Sequence, residues 1–380
     1  MTGREKIEAA LSVSGSREIG AVIPYEGIYI RDRWWGLTSL PWWCTSEPSI
    51  ERQLRWREDV AKWLDVDWVR VNPHLSAADR ESVRIEERED GVFRVDARTG
   101  EERKLSPPSV GGWSDPRLID AHKENDQPDT IEAIDARVGI APDDDASAIL
   151  SGGRDDLARA ALAGPGAGLY PFSHINSPLW MAYDFWGFEG FMTRVATAPE
   201  LIEHAASRSL TWAARSARIF AALGARGIWI EECMMDMLSP EDFRRLNVPF
   251  VRSLVDEIRA LGMHSIYYFC GNPAGKWEHI LSVGADALAL EEGKKGFEID
   301  IDGAASIVDG RCALFGNLDA VGILQDSTDS QLEAEIKRQV AAGRRNNGRF
   351  VMSLGSPITP DTPPERVKLY CDLAREIGGV

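Results

Sequence analysis

The feature that most limits the fold of this chain is a repeat of short apolar runs, each closed by turn residues and most followed by a stretch of helical periodicity. The clearest is Ser265-Ile266-Tyr267-Tyr268-Phe269-Cys270, stopped by Gly271-Asn272-Pro273. A charge-free apolar and aromatic run of this length reads as a buried strand, and Gly-Asn-Pro is turn chemistry. Runs of the same character occupy residues 20–24, 66–72, 168–172, 227–231, 285–290, 311–316 and 349–354. Between them lie helical patterns such as 50–65, 147–163 and 198–223, and a helix opened by Ser239 as N-cap with Pro240 in its first turn. Strand and helix in alternation imply a parallel sheet, and eight strands invite closure. The expected fold class is therefore α/β, a single (β/α)8 TIM-type barrel spanning residues 1–380, with a doubly wound open sheet as the alternative. No GxGxxG or GxxxxGK[ST] follows any of the runs, so neither a dinucleotide site nor a P-loop is indicated.

Three segments depart from the repeat. Residues 82–106 alternate in polarity and carry turn signals at Asp90-Gly91 and Thr99-Gly100, which predicts a small antiparallel β-meander inserted on the scaffold. Residues 106–146 are rich in Pro, Asp and Gly and read as an acidic surface loop with a short helical piece near 129–138. Arg31-Asp32-Arg33-Trp34-Trp35 and Pro41-Trp42-Trp43-Cys44 put four of the 13 tryptophans within ten residues. Read as a loop, this segment is either a wall for a flat or apolar ligand or a hydrophobic lid over the barrel mouth.

Charge and cysteine usage narrow the partners. With 60 acidic against 43 basic residues the net charge is −17, the wrong sign for nucleic acid or an anionic membrane surface. No apolar run approaches the ~18 residues of a membrane span, and the polar start MTGREK is not a signal peptide. Five cysteines, odd in number and without CxxC spacing, fit a reducing cytoplasm better than a disulfide framework.

In a barrel the C-terminal strand ends converge on one cavity. Just past the ends of the runs stand His74, His174, Glu231 with Glu232, Cys270, Glu291 with Glu292, Asn317 with Asp319, and Ser353 to Ser356, beside the Arg31–Trp35 segment. Two like carboxylates in a partly dry cavity raise each other's pKa unless a cation lies between them, so the paired glutamates suggest either proton transfer or a metal. Carboxylate, thiolate and imidazole together also make a zinc donor set.

These residues carry a resemblance to the uroporphyrinogen decarboxylase superfamily, in particular its branch of corrinoid-linked methyltransferases. The matching pieces are Thr2-Gly3-Arg4-Glu5-Lys6, Leu238-Ser239-Pro240-Glu241-Asp242-Phe243, Cys270-Gly271-Asn272, Gly284-Ala285-Asp286-Ala287-Leu288, Gly316-Asn317-Leu318-Asp319 and Gly355-Ser356-Pro357-Ile358-Thr359-Pro360-Asp361-Thr362-Pro363. The resemblance implies a (β/α)8 barrel. In decarboxylases of the family, N-terminal arginines grip substrate carboxylates; here Arg31 and Arg33 run on into Trp34-Trp35. In the methyltransferase branch a His-x-Cys pair and a later Cys hold zinc; here Tyr268 stands for the His, Cys270 is kept, and Ser356 stands for the second Cys. The resemblance thus points to an enzyme that removes methyl from a small methylated, for example methoxy-aromatic, substrate and passes it to a corrinoid. No DxHxxG stretch occurs, so the corrinoid would ride on a partner protein. In that reading Glu232, Cys270, Glu292 and His174 are catalytic, with Glu232, Cys270 and Glu292 also the candidate ligands for zinc or another divalent metal. Arg31, Arg33, Trp34, Trp35, His74, Tyr268, Asn317 and Ser356 are the candidate substrate-binding residues. A decarboxylase-like carboxy-lyase and a non-catalytic ligand-binding barrel are the alternatives.

Overall fold

The computed structural model describes residues 1–111, 127–293 and 296–379. Eight strands form one parallel sheet: β1 (Gly20–Ala21), β2 (Trp68–Arg70), β6 (Tyr170–Asn176), β7 (Gly227–Glu232), β8 (His264–Phe269), β9 (Ala287–Leu290), β10 (Ala313–Phe315) and β11 (Phe350–Met352), in the order β1-β11-β10-β9-β8-β7-β6-β2. The three strands numbered between β2 and β6 in the chain, β3 (Val83–Arg88), β4 (Gly91–Asp96) and β5 (Glu102–Leu105), make a separate antiparallel sheet. Their span coincides with the meander expected at 82–106.

The sheet curls until its two edges meet. Strand β1 is only two residues long, so the β1/β2 seam has no ladder. Instead the Asp67 N–H donates to Ala21 O at 2.8 Å and the Ala21 N–H to Asp67 Oδ2 at 2.7 Å. The α/β TIM-type fold is as expected, with a side chain doing at this seam what backbone pairing does elsewhere. Rings fill the barrel interior: Trp68 stacks on Phe172 at 3.9 Å, and Trp229 stacks on Tyr268 at 5.1 Å. No described helix is long and apolar enough to cross a membrane.

Two local expectations fail for identifiable reasons. The helix expected at 147–163 is broken into Ala146–Ile149 and Asp156–Ala163, because Gly152 and Gly153 between them both hold φ near +70° to +80°, outside the helical region. The arginine–tryptophan segment is not a loop. Residues Glu26–Leu37 form helix α2, counting Gly3–Leu11 as α1, with a break from helical geometry at Arg33, and Trp42–Ser46 form a 3-10 turn. Trp34, Trp43 and Cys44 pack into a second hydrophobic cluster with Leu105, flanked by Ile85 and Val92 of the β insertion. Trp34 and Trp43, with Trp42 packed against them, thus glue the insertion to the barrel. The long loop reading of 106–146 lies partly outside the described residues; its helical piece is Ile131–Arg137.

Candidate functional site at the strand ends

Side-chain parity along each strand decides what reaches the barrel interior. Successive residues point to opposite faces, and on β7 Trp229 lies among the interior rings of Tyr25, Trp68 and Phe315. Glu231 therefore faces inward and Glu232 outward. The hydrogen bonds agree: Glu232 is fully buried and accepts from Ser177 Oγ at 2.7 Å, from Tyr267 Oη at 3.0 Å and from Asn247 Nδ2, with Ser177 and Asn247 both at the starts of outer helices. Burial pushes its carboxyl up to about 7 despite these three donors. On β8 the same parity turns Tyr268 and Cys270 inward, while Phe269 meets Phe243 of an outer helix.

The inward set forms a chain of contacts. His174 Nε2 lies 2.5 Å from Glu231 Oε2, and Cys233 Sγ donates to Glu231 Oε1 at 3.3 Å. Cys270 Sγ donates to Glu291 Oε2 at 3.4 Å. The thiol of Cys233 is held well above the ordinary range, first by its hydrogen bond with Cys270 and then by burial. Tyr25 closes the group from above. It caps α2 in the left-handed region at φ 56°, accepts from Trp229 Nε1 at 3.3 Å and packs edge-on to His174 and Tyr268. A non-glycine residue in that region stores strain of about 1 kcal/mol or more, and here the strain places the tyrosine ring over the barrel mouth.

A cavity of about 520 Å³ opens beside this group. Its wall joins interior residues Tyr25, Trp68, His174, Trp229 and Glu231 to the helical layer, where α3 (Ile50–Ala61) contributes Trp56 and Arg57. Glu26 and Arg70 also line it. The cavity thus passes from the barrel interior to the helices at the β1/β2 seam, where no ladder closes the sheet. Burial pushes the Glu26 carboxyl up to about 7, although Arg70 and Arg57 oppose the rise. Burial likewise pulls the Arg57 guanidinium down to about 10, against the attraction of Glu26. Arg57 lies over the Trp56 ring at 4.1 Å and is steadied by Gln53, whose backbone and side-chain oxygens accept from its Nη1 at 2.7 and 2.6 Å.

Of the residues singled out from sequence, His174 lines the cavity, while Cys270 and Tyr268 belong to the contact group beside it. Tyr268 donates to Gly355 O at 3.0 Å. The others are placed elsewhere. Glu232 is under the outer helices, by strand parity. Ser356 Oγ donates to Glu292 Oε1 at 2.6 Å, and both are buried. Asn317 Nδ2 ties the backbone oxygens of Ile299 and Glu291, at 2.7 and 3.3 Å, a structural clamp. His74 Nε2 meets Pro48 O at 3.2 Å and does not line the cavity. Arg31 pairs with Asp32 at 2.8 Å; Arg33, Trp34 and the solvent-facing Trp35, 64% exposed, also stand off the cavity because α2 turns its far half toward the β insertion. The metal set expected from Glu232, Cys270 and Glu292 is not assembled. Among the described residues no three His, Cys, Asp or Glu side chains are grouped to hold an ion, and the Tyr268 and Ser356 hydroxyls are committed to protein acceptors. Sequence reasoning noted Glu231 and Glu291 but ranked their neighbours above them. It missed Tyr25, Glu26, Arg57, Arg70 and Trp229; only Trp229 and Glu231, two apart on one strand, left a usable signal.

Comparison with known proteins places these observations. Residues 172–377 match the protein family described as Uroporphyrinogen decarboxylase (URO-D). The uroporphyrinogen decarboxylase of Solibacter usitatus is 29% identical over 157 residues, 41% of this chain and 42% of that protein. That of Thermus thermophilus is 28% identical over 182 residues, 47% of this chain and 50% of that protein. The chain spans about half or less of the length of these curated relatives. Among solved structures, a methyltransferase from Methanosarcina mazei superposes over 99% of both chains with a TM-score of 0.64 at 18% identity. At that identity the likeness is one of fold.

Proposed function

The chain belongs to the uroporphyrinogen decarboxylase family, and from that premise we propose that it is a methyltransferase acting on a small methylated substrate, with a methoxy-aromatic as the leading class. The observation that carries this reading is the His174–Glu231 contact on the wall of the 520 Å³ cavity. A methyl group leaves an ether oxygen only if the departing oxygen is stabilised, and a positioned imidazole supplies the proton it needs. Glu231 orients the ring through one nitrogen, and the cavity wall leaves the imidazole a substrate-facing side. Trp68, Trp229 and Tyr25 supply apolar walls for a flat ligand. A corrinoid on a partner protein would supply the methyl acceptor. Among the described residues the donors do not group around a metal, so no step is assigned to one.

A second reading rests on Arg57 and Arg70 in the same cavity. Guanidiniums there could hold a substrate carboxylate, as a decarboxylase of the family requires, with Glu26 as the neighbouring acid. One experiment separates the two. The purified protein is given a methoxybenzoate series with free cob(I)alamin, and separately uroporphyrinogen, while cobalamin absorbance and carbon dioxide release are followed. Methyl transfer that is lost in His174→Gln supports the first reading; carbon dioxide release without methyl transfer supports the second and overturns the first.

A further inference from the structure

Three of the five cysteines, Cys44, Cys312 and Cys371, are buried, whereas Cys233 and Cys270 are only partly covered. These two lie one residue past the ends of neighbouring strands β7 and β8. The ladder pairs Glu231 with Tyr268 and Glu232 with Phe269, and the Cys270 N–H donates to Glu232 O at 2.9 Å. Continued by one residue, the register sets Cys233 opposite Cys270. Both side chains keep the inward parity of Glu231 and Tyr268, and their thiols donate to the inward carboxylates Glu231 and Glu291 at 3.3 and 3.4 Å. The loops behind them are locked together. Gly271 holds φ +115°, and a Cβ there would collide with the Asp236 carboxylate. Asp236 in turn accepts from the Asn272 N–H at 3.4 Å and, through its backbone oxygen, from Lys276 Nζ at 2.9 Å.

We propose that Cys233 and Cys270 form a dithiol modification site that closes to an intramolecular disulfide on reaction with a small disulfide such as oxidised glutathione. Neighbouring strands run about 4.8 Å apart, inside the ~4.4–6.8 Å between Cα atoms that a disulfide spans, and both sulfurs are on one face. One cysteine thiolate attacks a glutathione sulfur, forming a mixed disulfide and expelling a glutathione thiolate. The second cysteine then attacks the protein-bound sulfur and expels the other glutathione. Two protein thiols are oxidised by two electrons, one glutathione disulfide is reduced to two thiols, and the two protons pass to the departing thiolates. Closure removes the S–H donors from Glu231 and Glu291. The first of these carboxylates orients His174, so oxidation changes the wall of the cavity whatever reaction it hosts.

The test uses the full chain. Purified protein is incubated with oxidised glutathione, its remaining native thiols are alkylated, and a non-reducing digest is read by mass spectrometry. The expected product is a peptide pair joined through Cys233 and Cys270, lighter by two hydrogens than the sum of its parts and abolished by dithiothreitol, with Cys44, Cys312 and Cys371 recovered as thiols. Cys233→Ser should stop at a glutathione adduct on Cys270. Wild-type protein that yields only alkylated thiols, or separate glutathione adducts on the two cysteines with no joined pair, overturns the proposal without reliance on any variant.

Discussion

Replacing Glu232 by Gln tests the division of labour between the two glutamates that end β7. In the folded protein the Glu232 carboxyl is fully buried and titrates at about 7 rather than 4.5. The folded state therefore holds a proton that the unfolded chain has already released, and stability falls as pH rises from about 4.5 to about 7. Each tenfold in proton affinity is worth about 1.4 kcal/mol, so ionised Glu232 costs the fold about 3 kcal/mol above pH 7, as an order of magnitude. Below the unfolded pKa the cost vanishes.

The glutamine side chain has the same shape as the glutamate it replaces and no charge. With its oxygen in the place that accepts from Ser177, its amide nitrogen faces Tyr267 and Asn247, where the tyrosine hydroxyl can turn to accept and Asn247 can turn its amide to offer oxygen. Urea unfolding of wild type and Glu232→Gln, followed by tryptophan emission at pH 5 and pH 8, should show the variant gaining about 2 to 3 kcal/mol on wild type between the two pH values. Methyl-transfer or ligand-binding activity should persist, because this side chain faces the outer helices. By contrast Glu231→Gln, which strikes the carboxylate on His174, should abolish activity. A Glu232→Gln variant whose stability tracks wild type at both pH values, or which loses activity as Glu231→Gln does, refutes the parity argument.

Further outcomes follow from the cavity. Glu26, titrating at about 7, should give ligand binding or turnover a limb that falls as pH rises through neutrality if its protonated form is the active one; Glu26→Gln should flatten that limb in a pH–rate profile. Quenching of tryptophan emission by a bound aromatic ligand should survive Trp35→Ala, since that side chain is 64% exposed and off the cavity, and should weaken in Trp229→Phe. Gly271→Ala should lower stability by about 1 to 3 kcal/mol in thermal or urea unfolding, because alanine must adopt φ +115° and displace Asp236.

How far the sequence reached is clearest where one residue type had one meaning. Asp90-Gly91 and Thr99-Gly100 put the β-meander within a residue or so of its observed strands, and the apolar runs located every barrel strand. The Trp34-Trp35 and Trp42-Trp43 pairs misled, because an aromatic-rich segment is equally apt to line a cavity or to cement an insertion. Here Leu105, Ile85 and Val92 of the insertion decide it. That contact joins parts of the chain some forty to seventy residues apart, and no local pattern announces it.

The choice between Glu231 and Glu232 failed for a different reason, one of phase. That pair presents one carboxylate to each face of the sheet, and a shift of one residue in reading exchanges interior for exterior. Phase could have been taken from the strand itself. In Gly227-Ile228-Trp229-Ile230-Glu231-Glu232 the small, uniform isoleucines suit the face packed under helices, while the lone tryptophan suits a wide barrel interior, and Glu231 shares its parity. The same step applied to Tyr267-Tyr268-Phe269-Cys270 pairs Tyr268 with Cys270, in agreement with the rings that Tyr268 meets inside the barrel. What parity cannot supply is the β1/β2 seam. Whether Glu26 and Arg57 meet a cavity depends on β1 being too short to pair with β2, and that length is set by where Pro24 and the left-handed Tyr25 turn the chain out of the sheet and into α2.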